Sequence, residues 1–123
     1  MSLNPTQKKL LTELVMLRLA ARGWIRAIRL ARENIGRFES NRDLARAAGD
    51  AEIDRASVES LQECRERLIE CRSNLVEIGR HFVILSKEAS EHLPRELWLE
   101  ALEVNRSEWC KAAMLDFGDS PLN

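Results

Sequence analysis

Apolar residues in the first half of the chain fall at Leu10, Leu14, Leu17, Ala21, Trp24, Ile28, Ala31, Ile35 and Phe38, in steps that alternate between four and three. The second half repeats the arrangement at Leu61, Cys64, Leu68, Cys71, Leu75, Ile78, Phe82 and Leu85. A stripe with this period covers one side of an α-helix and asks for another helix to cover it in turn. Two such stripes in one chain predict two long helices packed lengthwise.

The polar residues between the stripes set the expected boundaries. Asn4-Pro5-Thr6-Gln7 reads as a helix start, with Asn4 as N-cap, Pro5 in the first turn and Gln7 placed to close a capping box. The first helix is predicted over 5–36, with Gly36 as its terminator. A connector follows, containing a short helix over 41–48 that Gly49 closes. Asp50 caps a long helix over 51–91, about 60 Å at 1.5 Å per residue. Pro94 opens a C-terminal helical region over 94–115, and 116–123 reads as a tail. Gly23, inside the first helix, marks either a close helix crossing beside Trp24 or a tolerated weak point.

The expected fold is therefore all-α. It is a long antiparallel helical hairpin with a short connector helix and a C-terminal helix, one domain over 1–123. Helices this long bury too little as a lone pair, so a bundle formed by dimerisation is expected. The seam offered to the second copy is Leu61, Cys64, Leu68, Cys71, Leu75, Ile78 and Phe82.

Composition narrows the class without naming an activity. The chain is 32% charged and 45% hydrophobic, with three Phe, three Trp and no Tyr, which suits a bundle core of Leu, Ile, Val and Ala. Arginines interrupt its most apolar stretch and no basic leader precedes an apolar run, so neither a membrane span nor a secretory signal is expected. A cytoplasmic location is the resulting expectation. Three cysteines argue against a disulfide framework. Cys64 and Cys71 lie about 10 Å apart along a helix, too far to bridge each other. They read as core residues, with a symmetric bridge between two chains as the sharper alternative.

Charge divides between the halves. Residues 1–50 hold ten Lys or Arg against five Asp or Glu, a balance of +5, and residues 51–123 hold nine against fifteen, a balance of −6. Arg18, Arg22, Arg26, Arg29 and Arg32 share one side of the first helix, where their planar donor forks suit phosphates or carboxylates. Glu59, Glu63, Glu66, Glu70 and Glu77 form the matching acidic row on the long helix. Each row reads first as a solvated face or as a pairing surface for another helix, and the arginines form a candidate nucleic-acid contact.

No catalytic constellation stands out. Neither His81 nor His92 lies close in sequence to a cysteine or a Gly-flanked serine, there is no Gly-rich phosphate loop, and the histidine spacing is not that of a zinc site. No enzyme activity, metal or cofactor is expected. The stretch Arg95 to Ala112 has the outline of a helix-turn-helix, with Leu102, Val104 and Trp109 apolar and Asn105 or Ser107 available as a cap. Arg106 and Lys111 would then face DNA. Glu103 and Leu99 depart from the small residues that motif favours at its turn.

Ile78-Gly79-Arg80-His81-Phe82-Val83-Ile84-Leu85-Ser86-Lys87-Glu88, followed by Leu93-Pro94 and Trp98-Leu99-Glu100, resembles a small domain family of unknown function found on phages and plasmids. Arg95-Glu96 stands where that family has His-Gly. The resemblance spans about residues 76–115 and implies a mobile-element accessory or regulatory protein with a helix-turn-helix-like ending. The expected function is non-catalytic association, with nucleic acid or another helical protein as partner. The competing expectation is a coiled-coil adaptor, structural or partner-sequestering, that binds no nucleic acid.

Overall fold

The computed structural model describes residues 2–97 together with residue 100. Two helices, α1 (Pro5–Ala48) and α2 (Ala51–His92), pack along each other as an antiparallel hairpin. At 1.5 Å per residue they are about 66 and 63 Å long, so the molecule is a thin rod.

The starts of both helices follow the local chemistry of the sequence. The Asn4 side chain accepts from the Gln7 amide at 2.8 Å, while the Asn4 amide donates to Gln7 Oε1 at 3.0 Å. This reciprocal pair satisfies donors that the first helical turn leaves unpaired. Asp50 caps α2 by accepting from the Ile53 amide at 3.1 Å, with Glu52 and Asp54 adding negative charge to the first turn.

The expected break at Gly36 is not there. α1 runs unbroken from Pro5 through Gly36 to Ala48, so the predicted helix over 5–36 and the short helix over 41–48 are one element. A glycine ends a helix when its backbone turns left-handed, and among the described residues only Gly49 does so, at φ 72°. Its amide and that of Asp50 donate to the last carbonyls of α1, at Arg46 and Ala45. The chain reverses over Gly49-Asp50, where Arg46 also pairs with Asp54 at 3.1 Å.

The core is a narrow strip in two main clusters. At the open end, Leu10, Leu14 and Leu17 meet Leu85, Ala89 and Leu93. In the middle, Ala21, Ile25 and Ile28 meet Cys71 and Leu75. Nearer the turn, Ala31, Ala45, Ser57 and Leu61 are also buried. The α2 stripe holds as read, but on α1 Ile25 takes the inward position expected of Trp24, which moves to the rim. The cause is geometric: an α-helix turns every 3.6 residues, so a strict seven-residue pattern drifts around it and the inward position slips by one.

After α2, Leu93 and Pro94 interrupt the helix, and helical backbone resumes at Arg95. The remainder of the expected C-terminal region lies outside the described residues.

Candidate interaction surfaces

The proposed oligomer seam is spent inside the chain. Leu61, Cys71 and Leu75 are buried, and Leu68, Ile78 and Phe82 pack against the two clusters made with α1, while Cys64 is half-buried. A second copy would therefore have to use other rows. The inter-chain bridge meets the same obstacle at Cys71, which is enclosed by Ile28 and its neighbours. Both Cys64 and Cys71 are free thiols. Burial raises the Cys71 thiol pKa, outweighing the nearby Arg67 charge that lowers it.

The antiparallel pairing gives the hairpin two sides of opposite charge. On one side a groove of about 480 Å³ runs between the helices, with Trp24, Ala27 and Asn34 on its α1 wall and Glu63, Glu66 and Glu70 on its α2 wall. Cys64, Arg67 and Cys71 line it as well. The same side continues to the open end, where Lys9 and Glu13 stand across from His81, Ile84 and Glu88. Glu59 and Glu77 belong to the same helical row as the groove carboxylates, and the whole row is exposed.

Helical steps of 100° place Arg18, Arg22 and Arg29 on the other side of the α1 core row, with Arg26 turned further outward. Arg22, Arg26 and Arg29 are exposed, whereas Arg18 and Arg32 are half-buried. The Arg18 Nε is covered, so part of that side chain serves as packing against the hairpin. The corresponding side of α2 carries Ile69, Val76 and Val83, spaced by sevens and all exposed. The structure thus brings the five arginines onto one helix side and keeps them apart from the acidic row. Arg106 and Lys111, and with them the helix-turn-helix outline, lie outside the described residues.

A third row escaped sequence reading. Met16, Ala20, Gly23, Ala27, Leu30 and Asn34 follow steps of four and three along α1, parallel to its core row. Met16 is 60% exposed and Leu30 55%, Ala20 and Gly23 are open, and Ala27 and Asn34 are half-buried. The signal was present in the spacing but weak, because three of its six members are Ala or Gly, which carry little hydrophobic weight. Ala27 joins this row to the acidic groove.

Among the described residues, no three His, Cys, Asp or Glu side chains converge to hold a metal ion, and no helix is long and apolar enough to cross a membrane. Comparison with protein-family models, with curated proteins and with solved structures finds no match to this chain.

Proposed function

We propose that this protein is a non-catalytic helical association module, working in the cytoplasm as an accessory or regulatory factor of the mobile-element kind. One observation carries the reading. Each helix has already spent a full stripe on its neighbour and still exposes large apolar side chains, among them Met16, Leu30, Ile69, Val76 and Val83. A two-helix rod has no interior left in which to hide them, and exposed apolar rows at helical spacing are what one helical protein offers another. The open groove contains no pairing of nucleophile with base, and its carboxylates stand on an exposed helix row, which suits recognition better than chemistry.

DNA contact is a second reading, favoured by the separation of charge. The arginine row occupies a different side from the carboxylates, so phosphates could approach it without meeting the α2 glutamates. In this reading Arg106 and Lys111 add to the contact from the C-terminal region.

Light-scattering mass of the purified chain, followed in the same samples by anisotropy titration with random duplex DNA at low and moderate salt, separates the two. Binding that weakens steeply with salt and with Arg22→Ala, Arg26→Ala and Arg29→Ala supports DNA contact. Indifference to DNA at both salts removes that reading and leaves protein association.

A further inference from the structure

We infer that the acidic groove between α1 and α2 is a docking site for a basic amphipathic helix from another protein. This rests on the association reading above and assigns it a surface and a partner chemistry. The groove has two dissimilar walls. The α1 wall is the shallow apolar row of Met16, Ala20, Gly23, Ala27 and Leu30, and the α2 wall is the carboxylate row centred on Glu63, Glu66 and Glu70. A helix laid along such a trough needs apolar residues at heptad spacing toward α1 and Lys or Arg along the flank that meets α2.

Gly23 is an independent pointer to the same surface. A glycine inside a helix weakens it, and a close approach by α2 would account for one here. α2 makes no such approach, since a Cβ built on Gly23 meets nothing within 4 Å. The residue is exposed on the side away from the hairpin core, in the middle of the apolar row. A partner helix crossing closely at that point is what a missing side chain accommodates.

Charge also argues against a second copy as the occupant. A symmetric pair joins the same surface of both copies. Joined through the groove sides, carboxylate rows would face each other or be pressed onto the apolar α1 row. Joined through the opposite sides, arginine rows would meet, with Arg65 and Arg72 of α2 adding to them. Both pairings set like charges together, whereas a foreign basic helix brings the opposite sign.

The probe is a fluorescent amphipathic peptide of about 21 residues, six helical turns, with Leu at the heptad seam positions and Lys on the flanks. Its twin carries Glu at every Lys position. Anisotropy is measured with the full chain at physiological salt. The basic peptide is expected to bind, and the Glu twin at least about 20-fold more weakly, as complementary charge dictates. Gly23→Leu, which fills the trough without changing charge, and the triple change Glu63→Lys, Glu66→Lys, Glu70→Lys should each weaken the basic peptide by about tenfold or more. Val76→Ser, on the other side of α2, should leave it unaffected. Gly23→Leu should melt no lower than the parent, which separates a blocked groove from a misfolded chain.

Failure of the basic peptide to bind, or binding that neither groove variant weakens, overturns the proposal. Binding of the Glu twin, lost on Arg22→Glu and Arg26→Glu, overturns it while leaving the association reading intact. A dimer in light scattering that Gly23→Leu dissolves gives the groove to a second copy and overturns the foreign partner. A monomer that binds neither peptide sinks both readings.

Discussion

Gln7 donates from Nε2 to the backbone carbonyl of His92 at 2.9 Å, a contact between residues 85 positions apart that ties the first turn of α1 to the last turn of α2. The same side chain accepts from the Asn4 amide. One residue therefore caps one helix and closes the open end of the hairpin. Gln7→Ala removes both interactions and should cost about 1–2 kcal/mol, the usual range for a cap combined with one exposed hydrogen bond. Hydrogen exchange should show faster amide exchange at both open-end turns, with the turn around Gly49 unchanged.

The continuity of α1 can be tested at its glycines. Gly36 is helical and a Cβ there meets nothing within 4 Å, so Gly36→Ala should stabilise the chain by up to about 1 kcal/mol in thermal melts. Gly49→Ala should destabilise it by at least about 1 kcal/mol, because its φ of 72° strains any residue with a Cβ. Loss of stability in Gly36→Ala would mean that the helix stops there after all.

The core strip is thin, so its few enclosed side chains matter individually. Ile28 is fully buried in the middle cluster, and Ile28→Ala should cost about 2–5 kcal/mol in denaturant unfolding, enough to threaten folding altogether. Ile69 is 65% exposed, and Ile69→Ala should stay within about 0.5 kcal/mol. Similar effects at both positions would contradict the way the stripes are assigned.

The two described thiols should differ in reactivity. Cys71 is buried with a raised pKa, and Cys64 opens onto the groove. Peptide mapping after brief iodoacetamide treatment of the folded chain at pH 8 should find Cys64 modified well before Cys71. The raised pKa also has a consequence for stability. A thiol is neutral when protonated, so the folded state holds its proton above the pH at which the unfolded state releases it. Stability from this group is flat below pH 9.0, the ordinary thiol value, and falls as pH rises beyond it. Cys71→Ser should remove that alkaline slope, and a slope that survives the change has another origin.

Much of the hairpin was readable from residues alone, because the relevant interactions are local. Asn4, Pro5 and Gln7 make a helix start whatever follows them, and Asp50 does the same for α2. The core stripes were readable too, since helical periodicity records which side is covered. Gly36 was misread because a glycine's role depends on its backbone angle, and that angle is decided by packing beyond it: Ala45, buried further along, keeps the helix on its course. Trp24 and Ile25 exchanged roles because the drift between helical and heptad periods accumulates over several turns. The charged rows were visible, but their sidedness was not. It took the pairing of Trp24 and Ala27 with Glu63 and Glu66 across one groove to show which way each row turns.

The two-residue reversal at Gly49-Asp50 gives the rod a mechanical asymmetry. Tension applied between Gln7 and His92 loads the open end alone, so the helix pair would peel apart one layer at a time, beginning at Leu10 and Leu93. Tension applied from that end to Gly49 loads every layer at once and must slide one helix along the other. Pulled the first way, the hairpin yields at low force; pulled the second way, it behaves as a stiff strut.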